Sequence, residues 1–181
     1  MSAHFRTRQA LALVPEALPL AHPPIRSLAP ALAVLVASVG CTTRYIGNTQ
    51  VEDTEENRAI LLVIEQYRRA VEDRDIQRIL DLTSEDFFED PGTPGDPSDD
   101  YDKRGLRQKL EESFSRIADQ RLRIDVRKLH QLDRDRVAVE YRFDYRYKLA
   151  LPSAPEWREF IDVNRVVLVR EGEQWRFLSG L

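Results

Sequence analysis

Apolar residues recur at Ile60, Ile64, Tyr67 and Val71, at intervals of four, three and four, and Leu61 and Val63 widen the stripe. That spacing places them on one face of a helix. The run Asp53-Thr54-Glu55-Glu56 predicts its start, with Asp53 as the capping acceptor and Glu56 as the reciprocal partner three residues on. Asp73-Arg74-Asp75 interrupts the stripe, and Asp75 can cap a second, shorter helix that turns Ile76, Ile79 and Leu80 inward. Residues 84–90, SEDFFED, read as a short extended piece, and residues 91–102, PGTPGDPSDDYD, as a loop. A third helix is predicted over 103–118, with Leu106, Leu110, Phe114 and Ile117 on one side.

Beyond that helix the period falls from 3.6 to two. Leu122, Ile124 and Val126 alternate with Arg121, Arg123, Asp125 and Arg127. After the turn Asp133-Arg134-Asp135, residues 137–147 carry Val, Val, Tyr, Phe, Tyr and Tyr at odd positions and Ala, Glu, Arg, Asp and Arg at even ones. One face is expected to be buried and the other wet. A further strand over 157–170 turns through Glu171-Gly172 into a last strand, 174–179. Three helices followed by a run of long antiparallel strands is an α+β layout. A sequence of 181 residues suits one such domain plus extensions.

The first forty residues differ from the rest. They hold five of the ten prolines, three arginines against one acid, and an uncharged run at 31–39 behind Arg26. That run is short of the roughly 20 residues needed to span a bilayer, but has the length of a signal-peptide hydrophobic region with a basic flank. Without this leader the net charge of −4 becomes −6, with 24 basic against 30 acidic residues. Nucleic acid is a poor partner for such a surface, because phosphate binding needs concentrated positive charge.

The leader ends in Leu35-Val36-Ala37-Ser38-Val39-Gly40-Cys41, and Cys41 is the single cysteine. This arrangement resembles the lipobox of bacterial lipoproteins, with Ser38 where that family usually has Leu. The resemblance implies cleavage before Cys41 and diacylation of its sulfur, so 1–40 is a signal peptide. Residues 41–52 are polar and without helix or strand period, and are read as a lipid-attached flexible tether. The alternative is ordinary secretion, with Cys41 a small residue near the cleavage site. Thr42 in place of an Asp after the cysteine points, by analogy, to the outer membrane on its periplasmic side.

The order and lengths of the elements, the segment AVEDRDIQRILDL at 70–82 and the closing RVVLVREGEQWRF at 165–177 resemble the nuclear-transport-factor-2-like superfamily, also called SnoaL-like or cystatin-like. The resemblance covers 53–181 and implies a cone: a curved antiparallel sheet wrapped around three N-terminal helices, with a pocket open at one end. Tyr141, Phe143, Tyr145 and Tyr147 would line it, or simply pack as core and rim aromatics.

Within that superfamily, residues 67–91 and the strand segment Phe160-Ile161-Asp162-Val163-Asn164-Arg165-Val166 are similar to ketosteroid isomerase. The chemistry of that enzyme pairs an Asp base with a Tyr and a protonated Asp that hydrogen-bond the enolate oxygen. Carried across by the resemblance, Tyr67 and Asp162 would hold the oxyanion and Asp90 would move the proton. The spacing from Tyr67 to Asp90 is one residue shorter than in that enzyme, and Asp90 before Pro91 and Gly92 equally suits a turn. Asp162, near Arg165 and Arg142, equally suits a surface.

No residue pattern asks for a metal or cofactor. Asp96, Asp99, Asp100 and Asp102 lack the alternation and terminal Glu of a calcium loop, and His130 has no second His or Cys to complete a zinc site. Arg121, Arg123, Arg127, Arg142 and Arg146 are interspersed with acids, which fits a solvated sheet face. The expected role is an envelope lipoprotein whose domain binds a small apolar ligand or an envelope protein. The rival is an isomerase or lyase acting by proton transfer with Tyr67, Asp90 and Asp162. Ile161, Val163, Val167 and Val169 leave room for a homodimer through the sheet.

Overall fold

Capping chemistry sets where the helices begin and end. In the computed structural model, which describes residues 43–91, 97–150 and 156–181, α1 spans Glu55–Asp73. Its cap is Thr54, one residue after the expected Asp53: the Thr54 hydroxyl accepts from the Asn57 amide at 3.1 Å. Asp53 is instead drawn to Arg58, which donates from both Nε and Nη2, at 2.5 and 2.8 Å. Glu56, expected to close the cap, pairs with Arg170. The helix ends at Arg74, whose left-handed backbone (φ 56°) returns its amide to the Val71 carbonyl.

Asp75 caps α2 (Ile76–Asp81) as predicted, accepting from the Arg78 amide at 2.9 Å. The two-residue strands β1 (Phe88–Glu89) and β2 (Tyr101–Asp102) then pair antiparallel, and Asp102 caps α3 (Lys103–Ser115). This helix stops three residues short of its predicted end. Ile117 opens β3 (Ile117–Gln131) opposite Leu149 and is buried there, so pairing overrides the helical spacing.

β3, β4 (Arg136–Leu149), β5 (Glu156–Glu171) and β6 (Gln174–Ser179) form an antiparallel sheet in chain order. The register sets Leu122, Ile124 and Val126 opposite Tyr145, Phe143 and Tyr141, and the last two opposite Asp162 and Asn164 of β5. Directly opposed residues share a face. The concave face therefore carries the odd residues of β4 with the even residues of β3 and β5 at this level. Irregularities at Ile117/Asp119, Val126/Lys128 and Val167/Leu168 bend the sheet.

The apolar stripe of α1 fills that concavity. Ile60, Val63 and Ile64 pack with Val139, Val166, Leu168 and Phe177, and Val71 packs with Ile79 and Leu122. Each such side chain contributes about 1.5–3 kcal/mol on burial. Leu80, Phe87 and Leu106 form a third cluster. The chain after α2 is stitched to β6, with Ser84 and Phe177 amides donating to the carbonyls of Phe177 and Leu82, each at 2.9 Å.

One feature departs from the sequence reading. The described part of the supposed tether, from residue 43, folds back on itself. Tyr45 bridges Glu52, the Ile46 amide donates to Val51 at 2.9 Å, and Val51 is buried. A turn made by Thr49, whose hydroxyl donates to the Ile46 carbonyl, and Asn48 in the left-handed region explains the reversal. The leader, Cys41 and Asp96 lie outside the described residues. The last two strands pair antiparallel as expected; β6 covers β5 only over Val167–Glu171, and among the described residues nothing pairs with the outer side of β5 before that point.

Candidate functional site

A cavity of about 270 Å³ lies between α1, α3 and the concave sheet. Its walls are apolar: Val71 from α1, Leu110 and Phe114 from α3, Leu122 and Ile124 from β3, and Phe143 from β4. Five polar side chains reach it, Tyr67, Ser113, Tyr141, Tyr145 and Asn164. None carries a formal charge, so the site offers hydrogen bonds in apolar surroundings. A larger depression of about 600 Å³ between β2 and α3 is lined by Asp99, Asp100, Asp102, Arg104, Lys109 and Glu112, and its mixed charges are those of solvated surface.

Tyr67 comes from the buried face of α1, one turn from Ile64 and Val71. Its ring packs tilted on Phe177, with centroids 5.1 Å apart. Among the described residues its hydroxyl has no hydrogen-bond partner. Burial, with Tyr141 and Tyr145 nearby, pushes its proton loss well above the ordinary phenol range. Tyr67 is therefore a neutral donor with its proton uncommitted.

Tyr141 and Tyr145 are held differently. Asn164 donates from Nδ2 to the Tyr141 hydroxyl at 3.3 Å and to the Gly180 carbonyl at 3.0 Å, so Tyr141 keeps its own proton for the cavity. Burial raises the Tyr141 hydroxyl, and the Asn164 bond partly opposes this. Tyr145 instead donates to Gln120 Oε1 at 2.5 Å, and the Gln120 amide nitrogen donates to the Val71 carbonyl. Burial first, and then neighbouring Tyr147, pushes Tyr145 up to about 12.

Tyr67, Tyr141, Phe143 and Tyr145 of the sequence candidates thus converge on one cavity. Tyr147 stacks on Tyr145 at 5.1 Å and is outside the lining. The two candidate carboxylates do not join them. Asp90 is exposed at the end of β1 and does not line the cavity. Asp162 stands opposite Phe143 on the concave side, but is exposed, and one of its oxygens accepts from the Val163 amide at 2.7 Å. Asn164 and Gln120 were missed by sequence reasoning. Gln120 continues the period of Leu122 and Ile124 backwards by one step, and that was its available signal.

No protein-family model matches the chain. No curated protein matches it either. Solved structures do. A ketosteroid isomerase-like protein from Erwinia carotovora atroseptica superposes with TM-score 0.58 at 14% identity, over 71% of this chain and 95% of that one. A conserved protein from Planctomyces limnophilus gives 0.58 at 15%, over 69% and 92%. A hexachlorocyclohexane dehydrochlorinase, LinA type 2, gives 0.57 at 13%, over 69% and 82%. At these identities the likeness is one of backbone, and it agrees with the helices and bent sheet described above: the chain has the nuclear-transport-factor-2-like cone fold.

Proposed function

We propose that the domain binds a small, largely apolar molecule bearing one hydrogen-bond acceptor, such as a ketone oxygen, between Tyr67 and Tyr141. The observation that carries this reading is the Tyr67 hydroxyl, unpartnered among the described residues, in an apolar cavity. Tyr67 is half-buried rather than sealed, so a bound carbonyl exchanges a water contact for a direct hydrogen bond, worth about 0.5–1.5 kcal/mol net. Tyr141 supplies a second donor because Asn164 already fills its acceptor side. In keeping with the sequence reading, the domain works as an exported lipoprotein moored through Cys41, binding without chemistry.

The second reading is a proton-transfer enzyme, an isomerase or lyase. Asp162 favours it: a carboxylate on the cavity's side of β5, two residues before Asn164, could take a proton from a ligand whose oxygen is held by Tyr67. The names of two structural neighbours, an isomerase-like protein and a dehydrochlorinase, are compatible with it. The cavity itself is lined by no carboxylate or histidine among the described residues.

The test uses two bicyclic probes of matched shape, 1-indanone with a ketone and indane without, titrated by calorimetry. Tyr67→Phe should weaken indanone about 3–10-fold, the value of one hydrogen bond, and leave indane unchanged. Equal binding of both probes, or binding of neither, would remove the phenol clamp. Solvent deuterium exchange at the indanone α-carbon that depends on Asp162 would establish the enzyme reading instead.

A further inference from the structure

The first half of β5 has an unusual surface. Trp157, Phe160, Ile161 and Val163 are 51%, 53%, 46% and 46% exposed. They are not on one side of the sheet. Phe160 is opposite Tyr145 on the concave face, with its ring 5.6 Å from Phe143, whereas Trp157, Ile161 and Val163 lie on the convex face. A further strand added beside this one brings cross-strand neighbours to both faces at once, whereas a layer on either face would cover only one row. This strand also has one bare edge among the described residues, because β6 begins its pairing only at Val167.

We propose that this edge, Glu156 to Asn164, joins two copies of the chain by antiparallel pairing about a two-fold axis through Phe160. Bare edges are templates for a further strand, and what distinguishes the occupants is register. In a regular antiparallel pair, opposed residues share a face and a hydrogen-bonding class, so the axis must pass through a residue. Through Arg158, Glu159 or Asp162 it would set that charge against its own copy, which is destabilising. Through Ile161 it would oppose Phe160 to Asp162 and Glu159 to Val163. Through Phe160 it opposes Arg158 to Asp162 twice, Trp157 to Val163 twice, and Phe160 to itself.

Charges in that register are all accommodated. Glu159 would stand across from Ile161, but it is already neutralised within its own chain by Arg146 at 2.6 Å. Arg158 holds only the exposed Glu156, at 2.9 Å, and can exchange it for Asp162 of the second copy. Face-to-face packing of the convex sides fits less well, since Arg123, Asp125, Arg142, Asp144 and Arg146 would have to be buried there. A lipid surface would call for the apolar residues on one side only.

The mass of the full chain is to be measured by light scattering at increasing concentration for wild type, R158E and D162R, alone and mixed. Both positions are exposed, and circular dichroism verifies that each variant folds. Wild type should be dimeric. Each variant alone meets two like-charge pairs and should dissociate about 10-fold or more readily. Mixed together the two variants should dimerise again, because both cross-strand positions then hold opposite charges. A wild-type monomer overturns the proposal, whether or not the edge accepts a strand from another protein. A dimer indifferent to either variant, or singles that are not rescued by mixing, overturns it as well.

Discussion

The hydroxyl of Tyr145 donates to Gln120 Oε1 at 2.5 Å, across the β3–β4 register and inside the wall of the cavity. Gln120 is 1% exposed, and its amide nitrogen is committed to the Val71 carbonyl of α1. One side chain therefore joins helix, strand and cavity lining. Tyr145→Phe should leave the Gln120 oxygen buried without a donor, at a cost of about 1–3 kcal/mol. Urea unfolding measures it. In a Gln120→Leu background the same replacement should cost much less, because no acceptor is left stranded.

The cavity's other support ends at Gly180. Its φ is +94°, and an added Cβ would lie 2.5 Å from the Arg165 carbonyl oxygen and 2.7 Å from Val166 Cα. Both obstacles are backbone, so neither can rotate away. Gly180→Ala should destabilise the fold by roughly 1–3 kcal/mol. It should also displace the carbonyl that anchors Asn164, freeing that amide from Tyr141. Binding of indanone should weaken with indane unaffected, a pattern that general destabilisation would not produce.

Much of this architecture is legible in the sequence, and the failures share a physical cause. Wherever one face is buried and the other solvated, alternation assigns direction, and it puts Tyr141, Phe143 and Tyr145 on the cavity side without knowledge of the pairing. β6 is bounded by its turn, where Gly172 adopts φ +64°. Strand β5 resists such reading. Its N-terminal half is exposed on both faces and its C-terminal half carries Val at both parities, so alternation assigns no side to Asp162 or Asn164. Their positions depend on pairing with β4, a long-range property. Residues 43–52 mislead for the opposite reason, since a single buried Val51 has no periodicity to show.

Acid should loosen α1 through one carboxylate. Glu65 accepts from Arg68 Nε at 2.7 Å and also from Arg69, and these bonds, Arg68's first, lower its pKa to about 2 against an ordinary 4.5. A folded pKa below the unfolded one means that the native state resists protonation. The associated stability is present above about pH 4.5 and is lost as pH falls toward 2. Glu65 is partly solvated, so the pairs are worth about 1 kcal/mol or less rather than the full shift. Glu65→Gln should flatten the urea midpoint between pH 4.5 and 2.5 relative to wild type. A wild-type and variant pair with parallel pH profiles would show that the arginines contribute nothing.

The last prediction concerns Cys41 and the proposed address. In this scheme attachment rests on acyl chains carried by the cysteine; among the described residues no helix is long and apolar enough to cross a membrane. Each buried methylene contributes about 0.8 kcal/mol, and two long chains suffice for stable anchoring where one does not. The wild-type chain should fractionate with membranes, resist high salt and be released by detergent, because the attachment is apolar rather than ionic. Cys41→Ser should appear in the soluble fraction with the domain still folded, since Cys41 precedes the described fold. Mass spectrometry of the wild-type N-terminus should find Cys41 first and carrying a diacylglycerol. A chain retaining residues 1–40 would be incompatible with that processing, and the cavity's ligand would then have to be sought inside the cell.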